Sequence, residues 1–355
     1  MRDLSSLMAL RFATWGGEPL LERDVFGTVD GERIAAIVDD FCHEHLGARV
    51  AGYEFFATSI GSVHGLRLED DRRVVVKAHR PRVSIDHLAA VQHVQTRLGD
   101  SGFPAPRPLL GPTSLGHGVA VVEILLDRGT RADAHEPVVR RAVAAGLARL
   151  IERSKPLARL PGLAGWRAGH DRLWREPHDA RFEFAATSEG AEWIERFAAR
   201  ASHMLDEHAT GPPVVGHSDW RVEHLRFDRG ELSAAYDWDS LAVAPEPVFA
   251  GAAAHGFTAD WTVGRADQVP CLAESLAFLT DYQGARGMPF DDAQRSLARA
   301  ALVATLAYAA RCQHSDLLTD FGTRPPRATP SPHSAGGSVE LLARHGEELL
   351  TGATS

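Results

Sequence analysis

The sequence has few cysteines and no long apolar run. Its three cysteines, Cys42, Cys271 and Cys312, are far apart and form no CxxC pair, which argues against a disulfide framework or a cysteine-based metal site. The apolar stretch from Leu7 to Leu10 is too short for a signal-peptide core, and no run approaches membrane-spanning length. We therefore expect a cytoplasmic protein in a reducing compartment, with no membrane partner.

Basic residues are fewer than acidic residues. The chain has 38 Lys and Arg residues against 47 Asp and Glu residues, a net charge of −9, and no basic tract. This balance argues against nucleic acid or an anionic membrane surface as a partner. There is no internal repeat, and a chain of 355 residues with 44% hydrophobic and 24% charged residues is typical of one large or two modest globular domains.

The first third of the chain is rich in predicted strands. Two helices accompany them, at 30–47 and 84–98, each with apolar residues recurring on one face. Prolines make Phe103 to Pro108 a rigid extended connection. The predicted strands are 53–60, 63–68, 74–77 and 119–126, with a turn at Gly61-Ser62.

The remainder of the chain is predicted to be helical, apart from one short hairpin formed by 225–227 and 232–236. Strands first and helices afterwards, joined near residue 125, predict an α+β layout with two lobes. Residues 322–337, rich in Pro, Gly and Ser, are predicted to form a mobile loop. The predicted helices are 139–151, 191–208, 291–313 with Asp291 as its N-cap, and 338–350.

Two short motifs, His217-Ser-Asp219 and Asp237-Trp-Asp239, flank this hairpin. A tight hairpin folds its two ends together, so Asp219, His224 and Asp237 are expected to converge. Phosphoryl transfer requires such a cluster, because one carboxylate must orient the attacking hydroxyl and another must hold Mg²⁺. The motifs therefore predict an ATP-dependent small-molecule kinase.

At these residues the chain resembles the aminoglycoside phosphotransferase family, the small-molecule branch of the protein-kinase-like fold. That family carries His-x-Asp-x-x-x-x-Asn and then, beyond a hairpin, an aspartate about 18 residues on, the separation of Asp219 and Asp237. The resemblance implies a bilobal fold with a nucleotide-binding N-terminal lobe at 1–122 and a hinge at 123–127. It also implies a helical C-terminal lobe at 128–355 that carries the catalytic loop and the acceptor site.

The resemblance implies nucleotide-binding residues in the first lobe. Val74-Val-Val-Lys77 looks like the strand whose lysine holds the α- and β-phosphates. Gly61 and Ser62 lie where the phosphate-covering loop belongs, and the backbone at Glu123 and Ile124 would bind adenine.

The resemblance also implies the catalytic and metal-binding residues of the second lobe. Asp219 would orient and deprotonate the acceptor hydroxyl, with His217 supporting the loop and Arg221 balancing charge. Asp237 would hold Mg²⁺, assisted by Asp239 or His224. The nucleotide would be ATP or GTP, and the sequence leaves this choice and the oligomeric state open.

The chain departs from the family pattern at several places, among them Glu246, which stands where an aspartate commonly follows the second motif. The expected asparagine is His224, and imidazole suits Mg²⁺ poorly; either His224 binds metal in another way, or water or Glu223 replaces it, or one metal site is lost. No glutamate lies between Lys77 and Leu110 to pair with the lysine, which leaves Asp86, Gln92 and His93 as candidates. A glycine-rich phosphate loop is also absent.

Together these features predict an ATP- or GTP-dependent phosphotransferase that modifies a hydroxyl of an antibiotic and confers resistance. An aminoglycoside is the default acceptor, and a nucleoside antibiotic of the capuramycin type or a macrolide is also compatible. The alternatives are a metabolite kinase acting on choline, homoserine or a sugar, and a nucleotide-binding pseudokinase. Trp220 and Trp238 flank the catalytic aspartates and are predicted to be packing residues, or one of them to line the acceptor pocket.

Overall fold

In a computed structural model, the described residues are 3–15, 19–167, 173–174, 182–208, 211–260, 269–319 and 337–352. The chain divides into two compact units. The first comprises residues 1–127 with 161–163, and the second comprises 128–160 with 164–355.

The first unit is built around a five-stranded antiparallel sheet with the strand order β1-β2-β3-β5-β4. The four strands expected from the sequence are present, and the structure adds a fifth strand, β4, and two helices at the N-terminus. The elements are α1 (Leu4–Trp15), α2 (Leu20–Phe26), α3 (Gly31–Leu46), β1 (Val50–Thr58), β2 (Ser62–Leu68), β3 (Arg73–His79), α4 (Ile85–Asp100), β4 (Pro108–Leu115) and β5 (Gly118–Ile124).

Helices α3 and α4 form where apolar periodicity and capping residues agree. The Asp30 side chain accepts hydrogen bonds from two amides in the first turn of α3, and Ser84 accepts one at the start of α4, which satisfies backbone donors that have no partner inside the helix. Of the apolar face predicted for α3, Ile37 is only partly buried, and the other residues are buried: Ile34, Val38, Phe41 and Cys42. The face predicted for α4 is buried: Leu88, Val91, Val94 and Leu98.

A histidine is buried inside this unit. His64 on β2 lies among the rings of Phe26, Tyr53 and Phe56, and its Nε2 is 3.1 Å from the Ser62 hydroxyl. Burial lowers the pKa of His64 to about 3, so the ring is neutral in the folded protein. The unfolded chain, in contrast, binds a proton at this residue below its ordinary pKa of 6.5.

This difference in the pKa of His64 predicts a pH-dependent stability. Because the folded pKa is depressed, the unfolded state binds more protons below pH 6.5, and stability is lost as the pH falls. Between pH 7.5 and pH 5, His64 should lower the unfolding free energy by about 2 kcal/mol. Urea unfolding of wild type and His64→Leu at both pH values measures this difference, with His203→Leu on an exposed histidine as the control. Parallel pH profiles for wild type and His64→Leu would contradict the prediction.

The second unit is mainly helical. All helices expected here are present, with Asp291 capping α9 as predicted. Of the mobile segment predicted at 322–337, only Gly337, the first residue of α10, lies within the described residues. The elements are α5 (Pro137–Ser154), α6 (Glu192–Glu207), β6 (Pro213–His217), β7 (Leu225–Asp228), β8 (Glu231–Ala235), β9 (Leu241–Pro245), α7 (Glu246–Gly256), α8 (Leu272–Arg286), α9 (Asp292–Leu318) and α10 (Gly337–Thr351).

The prediction of a single hairpin in this unit is incomplete. Strands β7 and β8 form that hairpin, but β6 and β9 form a second antiparallel pair around it, with His217 opposite Leu241. Each of these outer strands has only five residues, and their partners are distant in sequence, so no local pattern reveals them. The outer pair fixes the two ends of the segment that carries both aspartate motifs.

In the described part of the chain, no helix combines the length and the apolar character needed to cross a membrane.

Candidate active site

The two aspartate motifs follow β6 and precede β9, and the pairing of these strands brings them side by side. Beyond His217, the amide and the hydroxyl of Ser218 both donate to the carbonyl of Ser240, each at 2.8 Å. The loop that follows Asp219 is anchored at a second place, because the amides of Val222 and Glu223 donate to the carbonyls of Phe257 and Ala259. The loop geometry is therefore set by backbone hydrogen bonds on two sides.

Asp219, His224 and Asp237 converge as their positions around the hairpin predict. The Nε2 atom of His224 lies 3.4 Å from Oδ2 of Asp219 and 3.7 Å from Oδ2 of Asp237. One ligand atom from each of the three side chains lies within 4.8 Å of the others, an arrangement that could hold a metal ion. The grouping does not include Asp239, which the sequence analysis also predicted as a metal ligand.

Asp237 has a left-handed backbone conformation, with φ 62° and ψ 44°. Residues other than glycine adopt this conformation infrequently, although Asp and Asn tolerate it better than most. The Ser240 hydroxyl donates to Oδ2 of Asp237 at 2.6 Å, and the Ser240 amide donates to the Asp237 carbonyl at 3.0 Å. The turn therefore holds the carboxylate in one orientation, as a metal-binding or reacting group requires.

Asp219 is held in its ionised form by positive neighbours. Desolvation works against the charge, but Arg221 and His224 outweigh it and keep the pKa of Asp219 well below its usual value. Arg221 lies 3.1 Å from Oδ2 of Asp219 and 3.1 Å from Oε2 of Glu223. Asp219 is thus a carboxylate that orients a donor well and accepts a proton weakly.

The pKa values of the two histidines of the site are shifted in opposite directions. Desolvation opposes protonation of His224, but Asp237 and Asp219 raise its pKa above the ordinary value. Burial lowers the pKa of His217 despite the opposing effect of Asp237. The Nδ1 of His217 accepts a hydrogen bond from the Asp219 amide at 3.2 Å, so the proton of the neutral ring is on Nε2, 3.1 Å from the Tyr236 carbonyl. His217 supports the backbone on both sides of the site.

Both tryptophans of the motifs are packing residues. Trp220 and Trp238 are buried, and their indole N–H groups donate to the carbonyls of Val143 and Ala235, each at 2.8 Å. A buried indole N–H that already has a partner has little reason to turn toward a ligand.

In the first unit, the structure corrects the expected partner of Lys77. The Nζ atom of Lys77 lies 3.5 Å from Oε1 of Glu123, and both side chains are buried. Gln92, one of the candidates taken from α4, donates instead to the Leu110 carbonyl at 2.8 Å. An offset counted along a helix predicts a partner on α4, whereas the partner lies on the neighbouring strand β5.

The sequence does contain a signal for this pair. Lys77 ends the run Val74-Val-Val, and Glu123 follows Val121-Val in a second apolar strand. A single charge inside a buried strand needs a partner of opposite charge, and two such strands in one small sheet provide each other's partner.

The other predicted nucleotide-binding residues are engaged within the sheet. Ser62 is buried, with its hydroxyl near His64 rather than on the surface, and Gly61 lies in the turn that precedes it. The amide of Ile124 donates to the Arg107 carbonyl at 2.8 Å. This hydrogen bond extends the sheet as far as Ile124.

A family model described as the phosphotransferase enzyme family matches residues 65–246, which include Lys77, Asp219 and Asp237. No curated protein matches the chain in sequence.

Solved structures of antibiotic-modifying enzymes are similar in fold. Amicoumacin kinase hAmiN, in complex with AMP-PNP, Ca²⁺ and Ami, has a TM-score of 0.55 at 12% identity, covering 91% of this chain and 97% of that chain. Macrolide 2'-phosphotransferase MphH from Brachybacterium faecium has a TM-score of 0.51 at 16% identity, covering 90% and 99%. Spectinomycin phosphotransferase APH(9)-Ia, with ADP and spectinomycin, has a TM-score of 0.50 at 13% identity, covering 90% and 94%. At these identities the likeness concerns the fold, and it confirms the predicted α+β protein-kinase-like architecture.

Proposed function

The chain belongs to the phosphotransferase enzyme family and is a small-molecule phosphotransferase; we propose that it transfers the γ-phosphate of ATP or GTP to a hydroxyl of an antibiotic. The observation that carries this proposal is the convergence of Asp219, His224 and Asp237 beside one hairpin. Enzymes of similar fold act, according to their names, on amicoumacin, macrolides and spectinomycin. This supports an antibiotic as the acceptor class.

The residues of the second unit suit a loose transition state, in which catalysis is mainly positioning and charge stabilisation. Asp219 would accept a hydrogen bond from the acceptor hydroxyl and align its oxygen for attack. Because the pKa of Asp219 is low, the proton would move to its carboxylate late, after the oxygen has begun to bond to phosphorus. His217 would keep the Asp219 amide fixed during this step.

The donor set also fits a divalent cation. Asp237 would hold Mg²⁺ through a carboxylate oxygen, the ligand type that Mg²⁺ prefers, and His224 would complete the protein's contribution. The bound ion would neutralise charge on the phosphate oxygens. Ser240 would keep the Asp237 carboxylate oriented toward the ion. In the first unit, Lys77 would bind the phosphates of the nucleotide.

A nucleotide-consumption assay with a panel of acceptors tests the proposal. Aminoglycosides, a capuramycin-type nucleoside and a macrolide represent the antibiotics, while choline, homoserine and sugars represent metabolite acceptors; mass spectrometry of each product locates an added phosphate. Phosphorylation of an antibiotic, together with a raised inhibitory concentration for cells that express the enzyme, is the expected result. Nucleotide binding without turnover on any acceptor would instead favour a pseudokinase, and turnover on metabolites alone would favour a metabolite kinase.

The histidine at position 224 predicts an altered metal preference. Imidazole favours later transition metals over Mg²⁺, so His224→Asn should shift the ratio of Co²⁺- to Mg²⁺-supported turnover toward Mg²⁺ by about tenfold. Steady-state rates in metal titrations measure this ratio, and His203→Asn, at an exposed position on helix α6, is the control. An unchanged ratio in His224→Asn would mean that His224 is not a metal ligand.

A further inference from the structure

The buried pair formed by Lys77 and Glu123 lies between adjacent strands of the sheet in the first unit. Val75 on β3 is opposite Glu123 on β5, and Lys77 lies two residues beyond Val75. Side chains two residues apart on a strand point to the same face, so Lys77 and Glu123 are diagonal neighbours on one face of the sheet. The exposed fractions of Lys77 and Glu123 are only 7% and 6%.

A third buried side chain fixes the carboxylate. Gln95 on α4 is 2% exposed, and its Nε2 donates to Oε2 of Glu123 at 2.7 Å and to the Pro106 carbonyl at 2.8 Å. Glu123 therefore faces Lys77 with one oxygen and accepts from Gln95 with the other. The helix provides a neutral amide and the strand provides the negative charge.

We propose that Glu123 and Gln95 are positioning residues that orient the Lys77 ammonium for the nucleotide phosphates. Glu123 takes the place of the helix glutamate that the family resemblance led us to expect on α4, and Gln95 links that helix to the pair. This inference rests on the proposed function, because it concerns how Lys77 engages a nucleotide.

The reason for such an arrangement is the cost of an unpaired buried charge. An ammonium group buried without a counter-charge either turns toward water or loses its proton. Either change leaves the binding position of the phosphates without a positive charge. A glutamate whose rotamer is fixed by Gln95 keeps the lysine charged and aimed in one direction, which lowers the cost of ordering it when phosphate binds.

Binding of ADP and of adenosine to the full-length protein, measured by calorimetry, tests the inference. Adenosine has no phosphate, so the ratio of the two affinities reports the contribution of the phosphates, to which Lys77 would bind. Glu123→Gln should weaken ADP binding by about tenfold and leave adenosine binding unchanged. Gln95→Met, which removes no charge, should change the ratio in the same direction by about threefold. This second variant keeps the test decisive if Glu123→Gln does not fold.

Gln92 offers a matched control on the same helix. It also donates to a backbone carbonyl, that of Leu110, but it is not bonded to Glu123. Gln92→Met should leave the ADP to adenosine ratio as in wild type, so an equal change in Gln92→Met and Gln95→Met would overturn the inference in favour of general helix packing. In a Lys77→Met background, Glu123→Gln should have no further effect on ADP affinity, and a full additional effect would also overturn it.

The outcomes separate this inference from the function it rests on. If wild type binds neither ADP nor GDP, the proposed function is wrong. If wild type binds ADP and the ratio is unchanged in Glu123→Gln and in Gln95→Met, the positioning role is wrong while the proposed function stands.

Discussion

Asp219→Asn is expected to reduce kcat by about 10²- to 10⁴-fold, the range typical of a lost general base, with nucleotide affinity within about threefold of wild type. Asparagine has nearly the same shape as aspartate, so the loop anchored by the Val222 and Glu223 amides should keep its conformation. Its amide cannot accept the proton of the acceptor hydroxyl. The substitution therefore removes the proposed chemistry and retains the architecture.

The neighbours of Asp219 indicate how this loss should divide between steps. Arg221 at 3.1 Å and His224 at 3.4 Å lose a counter-charge but remain close to Glu223 and Asp237 respectively. The pKa of Asp219 is held well below its usual value, so wild-type activity should not fall in mildly acidic buffer through protonation of this residue. Because Arg221 and His224 each keep an acidic neighbour, most of the loss in Asp219→Asn should appear in turnover rather than in nucleotide binding.

Single-turnover and steady-state rates with the best acceptor of the panel, together with nucleotide Kd values, measure this division. Asp228→Asn, a change of the same kind at the exposed last residue of β7, is the matched control and should leave kcat as in wild type. Full turnover by Asp219→Asn would refute the assignment of Asp219 as the residue that orients the hydroxyl.

Local sequence patterns predicted the elements whose cause is local. Helix α3 combines an apolar face with an N-cap at Asp30, and the hairpin of β7 and β8 combines two apolar runs with the turn around Gly230; the structure confirms both. Strand β4 was missed because Pro108 and Pro112 argue against a strand. The sheet tolerates them because β4 lies at its edge, where a missing N–H leaves no internal hydrogen bond broken.

The candidate site residues also include one arrangement that the sequence predicts and one that it does not. The meeting of Asp219, His224 and Asp237 could be predicted because one short hairpin connects them. The partner of Lys77 could not be found by counting along α4, since Glu123 is 46 residues away and its position depends on the register between β3 and β5. Strand register is set by the packing of the whole sheet face. A residue offset counted from Lys77 into helix α4 therefore does not identify Glu123.

Asp237→Asn is expected to remove the dependence of nucleotide binding on Mg²⁺ and to lower turnover by about 10²- to 10³-fold, equivalent to several kcal/mol of charge stabilisation. Asparagine is the appropriate replacement because position 237 has a φ of 62°, which Asn tolerates better than Ala. The Ser240 hydroxyl, which donates to Oδ2 at 2.6 Å, can still donate to the amide oxygen of Asn. The turn is therefore preserved while the negative charge is lost.

Asp239→Asn provides the comparison that decides between the two carboxylates of the motif. Both were predicted as metal ligands from the sequence, but only Asp237 lies with Asp219 and His224 in the group able to hold an ion. Nucleotide Kd values measured with and without Mg²⁺ should therefore converge in Asp237→Asn and remain apart in Asp239→Asn. The reverse pattern would transfer the metal to Asp239 and would require the turn at 237–240 to open when the nucleotide binds.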